Sequence, residues 1–205
     1  MAGMMYETYM LQALDNGINA VRQDTTKLAD ILDALNPAEL AAAQAYFGDS
    51  GIEIYVAPGF PMEPSRMPFI GVTVANEEQI AGQTPIGLAY ERIDNGDGTW
   101  TDVKGARFQG TLKATIYTSN ADLIMWLSAV CSWALLSQID TIFSETAGMN
   151  NILTGLGDYE PSPSWLPIFT FARGVWLSGE YDKTYLVIPP IITSAMATGT
   201  FSAFR

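Results

Sequence analysis

The first 48 residues show apolar positions that recur every three or four residues, a spacing that predicts amphipathic helices. The two stripes consist of Met10, Leu14, Ile18 and Val21, and of Leu28, Ile31, Leu32 and Leu35. The next residues, Asn36-Pro37-Ala38-Glu39, combine a cap, a proline at the first helical position and an acid three residues after the cap. They predict a further helix that stops at Gly48.

From Gly51 onward the apolar positions alternate, which predicts β-strands. The predicted strands cover 52–56, 69–75, 90–93, 100–103, 108–118, 168–177 and 183–188. Residues 94–99 read Asp-Asn-Gly-Asp-Gly-Thr and predict the tip of a long β-hairpin. Loops are predicted at 57–68, 77–87 and 148–167, and Gly179 is expected to form the turn between the last two strands.

One segment, Leu123 to Leu136, is apolar nearly all round and predicts a buried core helix. Asn120 is its expected N-cap, and we expect the helix to run to about Phe143. The segment is too short to cross a bilayer and contains Ser128. Burial inside a protein core therefore explains its composition.

These elements together predict a single domain of the α+β class. We expect N-terminal helices over 1–48, an α+β core over 51–188 and a C-terminal tail over 189–205. The core is predicted to hold an antiparallel sheet with a long hairpin and one long buried helix packed on it. Trp126 and Trp133 are seven residues apart on that helix, share one face and are expected to lie in the core.

The composition argues against several chemistries. The chain has 22 acidic and 10 basic residues, and its net charge of −12 repels nucleic-acid phosphates and anionic membranes. It has no histidine, the commonest general base and metal ligand, and its only cysteine, Cys131, lies in the apolar run. We expect no cofactor, no metal, no specific nucleic-acid binding and no membrane partner. The first residues lack a signal-peptide pattern, so we expect a cytoplasmic site of synthesis.

The acidic residues offer two candidate sites. Residues 94–98 superficially resemble a calcium loop, but the glycine and glutamate spacing of an EF-hand is absent, and turn chemistry explains these residues. A glycosidase could use paired carboxylates near aromatic residues. The candidates are Asp158 and Glu160 near Trp165, and Glu180 and Asp182 around Tyr181. Acids beside turns are more often simply solvated, so we expect no enzymatic activity.

Charged residues make up only 16% of the chain, against about 25% in typical globular proteins. Part of the surface is therefore expected to be covered by other subunits, or instead by Gly, Ser, Thr and Asn, of which the chain has many. The tail after Pro189-Pro190 begins with Ile191 and Ile192 and carries one charge. A free apolar end favours aggregation, so the tail either folds back onto its own domain or packs on a neighbour.

The order of elements from 51 to 188 carries a resemblance to a known family. Strand 108–118 runs into Ser119-Asn120-Ala121-Asp122, the buried helix follows to Phe143, and strand 169–177 comes after a loop. This order resembles the tail terminator and neck (head-to-tail completion) proteins of tailed bacteriophages. The resemblance implies a virion protein that forms a ring, commonly a hexamer, on the head-proximal end of the tail. Its partners would be further copies of itself, the tail tube and neck or connector proteins.

If DNA passes through such a ring, some surplus acids are expected to face the channel, because repulsion keeps a polyanion off the wall. The candidates are Asp94, Asp97, Asp158 and Glu160; the alternative is that they only keep the protein soluble. Two other functions stay open. One is a carbohydrate- or receptor-binding module, which needs exposed aromatics such as Tyr159 and Trp165. The other is an acid-pair hydrolase.

Overall fold

The computed structural model describes residues 6–61, 67–80, 89–96, 100–160, 166 and 170–187. Its α-helices are α1 (Tyr6–Gln23), α2 (Leu28–Ile31), α3 (Pro37–Gly48) and α4 (Ala121–Ser137). A short 3-10 helix covers Thr25–Lys27, and a π-helix covers Ile139–Thr146. The strands are β1 (Tyr55–Pro58), β2 (Phe69–Gln79), β3 (Ala89–Asp94), β4 (Trp100–Thr118), β5 (Asn150–Glu160) and β6 (Phe171–Val187). The fold is therefore α+β, as the sequence predicts.

Local side-chain chemistry explains where the predicted helices begin. The Asn36 side chain accepts hydrogen bonds from the backbone N–H groups of Ala38 and Glu39, and the Glu39 carboxylate accepts one from Asn36. This is the predicted capping box of α3. Asn120 caps α4 in the same way, since its side-chain oxygen accepts from Asp122 and Leu123. Both predicted helix starts are confirmed.

The described strands form one sheet in the order β1-β2-β4-β6-β5, with β3 paired to β4 beside β2. The pairs β2–β4, β3–β4, β4–β6 and β5–β6 are antiparallel, and the hairpin of β3 and β4 is confirmed. The short strand β1 runs parallel to β2. The sheet is therefore mixed, and it is antiparallel except at this edge.

Strands β4 and β6 are unusually long, with 19 and 17 residues. They pair without interruption from Asp102–Val187 to Thr118–Phe171. Most strands in globular proteins have three to ten residues, so each of these strands is about as long as two ordinary ones. The second half of β4 pairs with β2, and its first half pairs with β3.

The main core lies between one face of the sheet and helices α1 and α4. It contains Leu112, Ala114 and Ile116 from β4, and Val175 and Leu177 from β6. From α1 and α4 it contains Met10, Leu14, Ile18, Val21, Ile124, Leu127, Val130, Cys131 and Leu135. The N-terminal helices thus belong to the same core. A smaller cluster on the opposite face joins Phe69, Tyr117, Leu166 and Ala172.

The predicted position of the two tryptophans in α4 needs correction. Trp126 and Trp133 are only half-buried at the margin of the core, whereas Ile124 and Leu127 are fully buried. The apolar surface of α4 is wider than the contact with α1 and the sheet. Its tryptophans therefore lie at the edge of the contact.

Three predicted loops or turns are strands in the structure. The loop at 148–167 contains β5, the loop at 77–87 begins with the end of β2, and the turn at Gly179 lies inside β6. Close packing explains the glycines. A Cβ at Gly179 would lie 2.8 Å from the Met149 Cε, and one at Gly155 would lie 2.9 Å from the Trp176 Nε1. These glycines mark close approach within a sheet.

The long helix also ends earlier than predicted. It stops at Ser137, and the π-helix continues after a bend of 53°. Its wider turns keep both Ile142 and Phe143 buried. Among the described residues, no single helix has the length and hydropathy of a membrane span. Helix α4 and the π-helix, taken together across the bend between them, have the length and composition of one.

Candidate subunit interface

The sheet continues beyond the helices as an arm, defined here as β3 with residues 100–107 of β4 and 182–187 of β6. Among the side chains that the structure describes, the core cluster reaches Phe108 along β4 and Tyr181 along β6. β3 pairs with the part of β4 that lies beyond this point. In the described part of the chain, the arm is therefore a three-stranded sheet that extends beyond the core cluster.

A compact cluster fixes the root of the arm. The rings of Tyr6 and Tyr181 lie 3.8 Å apart between centroids, which joins the first turn of α1 to β6. The Lys183 ammonium lies over the Phe108 ring at 5.1 Å and forms an ion pair with Glu77. Burial raises the pKa of the Tyr181 hydroxyl, which stays neutral. The arm is thus held at its base by aromatic contacts and an ion pair.

The tip of the arm exposes large apolar side chains. Trp100 is 51% exposed, and Ile93, one strand away, is also exposed. The Asp94 carboxylate accepts a hydrogen bond from the N–H of Gly96, whose φ is +78°. The predicted turn begins here, and a positive φ is where glycine is favoured.

A second apolar surface lies along the outer edge of the sheet. Among the described strands, β5 is the last in the sheet order and pairs with β6 alone. Three of its side chains are exposed: Leu153 by 64%, Leu156 by 43% and Tyr159 by 54%. Sequence reasoning missed this edge because it assigned residues 148–167 to a loop. The spacing of Leu153, Leu156 and Tyr159, three residues each, does not follow the alternation of a strand and gave no signal for one.

The edge ends in a shallow depression beside the start of α4. It has a volume of about 390 Å³ and is lined by Ala121, Tyr159, Thr170, Phe171 and Ala172. The Thr170 hydroxyl is buried and has no hydrogen-bond partner among the described residues.

Tyr159 has a fixed position beside this depression. The Arg173 guanidinium lies 5.0 Å from the centre of the Tyr159 ring, and its Nε donates a hydrogen bond to the Gly157 carbonyl at 3.1 Å. A cation over an aromatic face is attractive, so this contact holds the ring in place.

The structure does not bring the candidate channel acids together. Asp94 is paired with Trp100 at one end of the sheet, and Asp158 is exposed near the other end. Across β6, Asp158 lies level with the β4 residues Thr115 and Ile116, which at ~3.3 Å per residue are about 50 Å from Trp100. Glu160 ends β5, so its backbone lies at the same end as Asp158. The candidates Asp97, Ile191 and Ile192 lie outside the described residues.

The suggested glycosidase acids also have other roles or positions. Asp182 forms an ion pair with Arg107 at 2.9 Å, and Glu180 accepts a hydrogen bond from Asn151 at 2.9 Å. Both lie inside β6. Glu160 pairs with Ala172, eight residues of β6 away from Glu180. That is about 26 Å, whereas a glycosidase needs its carboxyl groups within about 10 Å.

The described parts of the chain show neither a metal-binding cluster nor a reactive thiol. They contain no group of three or more His, Cys, Asp or Glu side chains that could hold a metal ion. Cys131 is fully buried, and burial raises the pKa of its thiol to about 12. Within the described residues, the geometry presents exposed apolar surfaces. No family model and no curated protein sequence matches the chain.

Proposed function

We propose that this chain is a structural virion protein that forms a ring at the head-proximal end of a phage tail and joins the tail to the head. The observation that carries the proposal is the arm. Its tip exposes the large apolar side chains of Trp100 and Ile93, and neighbouring subunits in a ring would cover them.

The exposed apolar residues support the same conclusion. Trp100 and Ile93 lie at the tip of the arm, and Leu153 and Leu156 lie on the edge strand. These two surfaces differ, so an interface that joins one to the other is heterologous. Heterologous contacts close into rings when the rotation between subunits permits it.

The partners follow from this position in the virion. We infer a ring of copies of this chain, commonly six in the family that the element order resembles. The tail tube would lie on one side and neck or connector proteins on the other. The ring would assemble in the host cytoplasm. It needs no cofactor, and its negative charge lets DNA pass without binding.

The experiment is reconstitution on purified tail tubes, viewed by negative-stain electron microscopy. We expect the chain to add a disc to one end of each tube. The double variant Ile93→Ser and Trp100→Ser should lose the disc while keeping its melting temperature, because both side chains are exposed. Leu136→Ser on α4, which is 56% exposed, is the matched control and should retain the disc. Bare tube ends with the unmodified chain would contradict the proposal.

One observation favours a second function, a carbohydrate- or receptor-binding module. Tyr159 is exposed, held by Arg173 and set beside the depression near α4. Such an aromatic face can stack on a sugar ring. Titration with a panel of host-surface glycans tests this, and Tyr159→Ala should abolish any binding. A chain that binds glycans and adds no disc to tail tubes would favour this function.

A further inference from the structure

The outer edge of β5 has the properties of a surface that natural proteins cover. It spans 11 residues at the end of the sheet order, and no described strand pairs with its outer side. Leu153 pairs with Ser178 and lies on the face away from α4, whereas Leu156 pairs with Val175 on the face toward α4. Exposed apolar side chains therefore flank the open backbone on both sides. Long apolar edges of this kind attract another strand.

We propose that the edge of β5 binds the C-terminal segment 191–205 of a second copy of this chain as an additional strand. The inference rests on the self-assembly proposed above and names the contact that carries it. An added strand gains main-chain hydrogen bonds along the edge, and its alternate side chains pack on the two faces.

The chemistry of the segment fits the edge. It begins with Ile191 and Ile192, includes Phe201 and Phe204, and carries a single charge, Arg205. Its 15 residues span about 50 Å when extended, more than the ~36 Å of β5. Its one charged side chain, Arg205, is opposite in sign to Asp158, which is exposed near the end of β5.

The point at which β6 ends favours a second copy over the same chain. Val187 pairs with Asp102 in the arm, whereas β5 begins opposite Glu180, about 23 Å back along β6. To reach its own β5, the chain would have to reverse at once. A segment from a second copy of the chain needs no such reversal.

The test is site-specific photocrosslinking of the full chain, with a benzophenone side chain in place of Leu156. Chains labelled with ¹⁵N and unlabelled chains are mixed before assembly and irradiated, and the joined peptides are identified by mass spectrometry. A melting curve confirms that the modified chain folds. We expect crosslinks to residues 191–205, with mixed isotope labels that show two different chains.

Three results would overturn the inference in an assembled sample: tail crosslinks confined to one chain, crosslinks only to other segments, or no crosslink at all. The proposed ring would survive each of them. A chain that stays monomeric would contradict both the ring and the strand contact.

A pair of variants gives an independent readout. Leu153→Lys together with Leu156→Lys places charges on both faces of the edge, and we expect the concentration for half-assembly to rise by about tenfold or more. Leu136→Lys, on α4, should shift the concentration for half-assembly by less than about twofold. Equal shifts for the two would show that charge, and not the edge, controls assembly.

Discussion

Gly17 of α1 lies against the backbone of Ala134 in α4, so close that a Cβ on Gly17 would lie 2.9 Å from the Ala134 Cα. A glycine within a helix normally costs about 1 kcal/mol relative to alanine. Here it lets two helices approach at the centre of the core. The residue that weakens α1 by propensity is the one that the packing requires.

We therefore expect Gly17→Ala to lower the free energy of unfolding by roughly 1–3 kcal/mol, although alanine is the better helix former. Chemical denaturation measures the change. Ala134→Gly in the same chain should restore part of the loss, since it removes the opposing methyl group. Gly48→Ala is the control, because a Cβ there meets Thr25 Cγ2 at an ordinary 3.6 Å. A stabilised Gly17→Ala chain would contradict the close packing.

The largest losses of stability in α4 should come from its buried leucines. Leu127 is fully buried, so Leu127→Ala should cost about 2–5 kcal/mol. Trp133 is half-buried. Trp133→Ala should therefore lower the free energy of unfolding by less than the removal of a fully buried aromatic side chain does, by below about 3 kcal/mol. Leu136→Ala, on the exposed side, should stay within about 1 kcal/mol. Urea denaturation of the three variants tests this order. A reversed order would mean that the face of α4 assigned to solvent is the face that packs in the core.

Cys131 should be inert in the folded protein. Burial raises the pKa of its thiol from 9.0 to about 12, so the thiolate that reacts is absent at pH 8. We expect no reaction with a disulfide reagent until denaturant is added. Because the unfolded thiol ionises first as the pH rises, this group lowers stability between pH 9 and 12. Rapid modification at pH 8 in the native state would show that the core opens at this point.

Charge reversal distinguishes the two ends of the sheet. Since Asp94 and Asp158 lie about 50 Å apart along the strands, we expect only one end to face a DNA channel. One variant changes Asp94 and Asp97 to lysine, and the other changes Asp158 and Glu160. Only one of the two variants should slow the release of DNA from assembled particles. The delay should shorten at high salt, because the binding of lysine to DNA phosphates is driven by counterion release.

Normal release by both variants at low salt would remove the channel role. The acids would then only keep the surface soluble. Solubility of the two variants, measured in parallel, provides the control for that alternative.

The sequence predicted the local features of the fold well. The stripes of Met10 and Leu14, and the caps at Asn36 and Asn120, are determined by neighbours within one or two helical turns. Periodicity and cap chemistry therefore sufficed. The alternation from Phe108 to Thr118 likewise predicted a strand with one face toward the core.

The predictions from sequence were wrong where contacts between distant residues determine the structure. Gly179 was interpreted as a turn residue and Gly155 as part of the loop 148–167. Each instead makes room for a side chain, Met149 or Trp176, from a neighbouring part of the sheet. The polar end of β2 had no apolar pattern, because its Glu77 forms an ion pair with Lys183, more than 100 residues away. Such contacts leave no periodic signal. The exposed edge of β5 was missed for the same reason.

Self-association is the central claim, and the native mass of the full chain tests it most directly. Sedimentation at high protein concentration should show a closed species, six times the 22.3 kDa of one chain if the ring is a hexamer. Removal of residues 191–205 should shift this species toward smaller masses while leaving the melting temperature unchanged. A full chain that sediments at 22.3 kDa, both alone and with tail tubes present, would contradict the account.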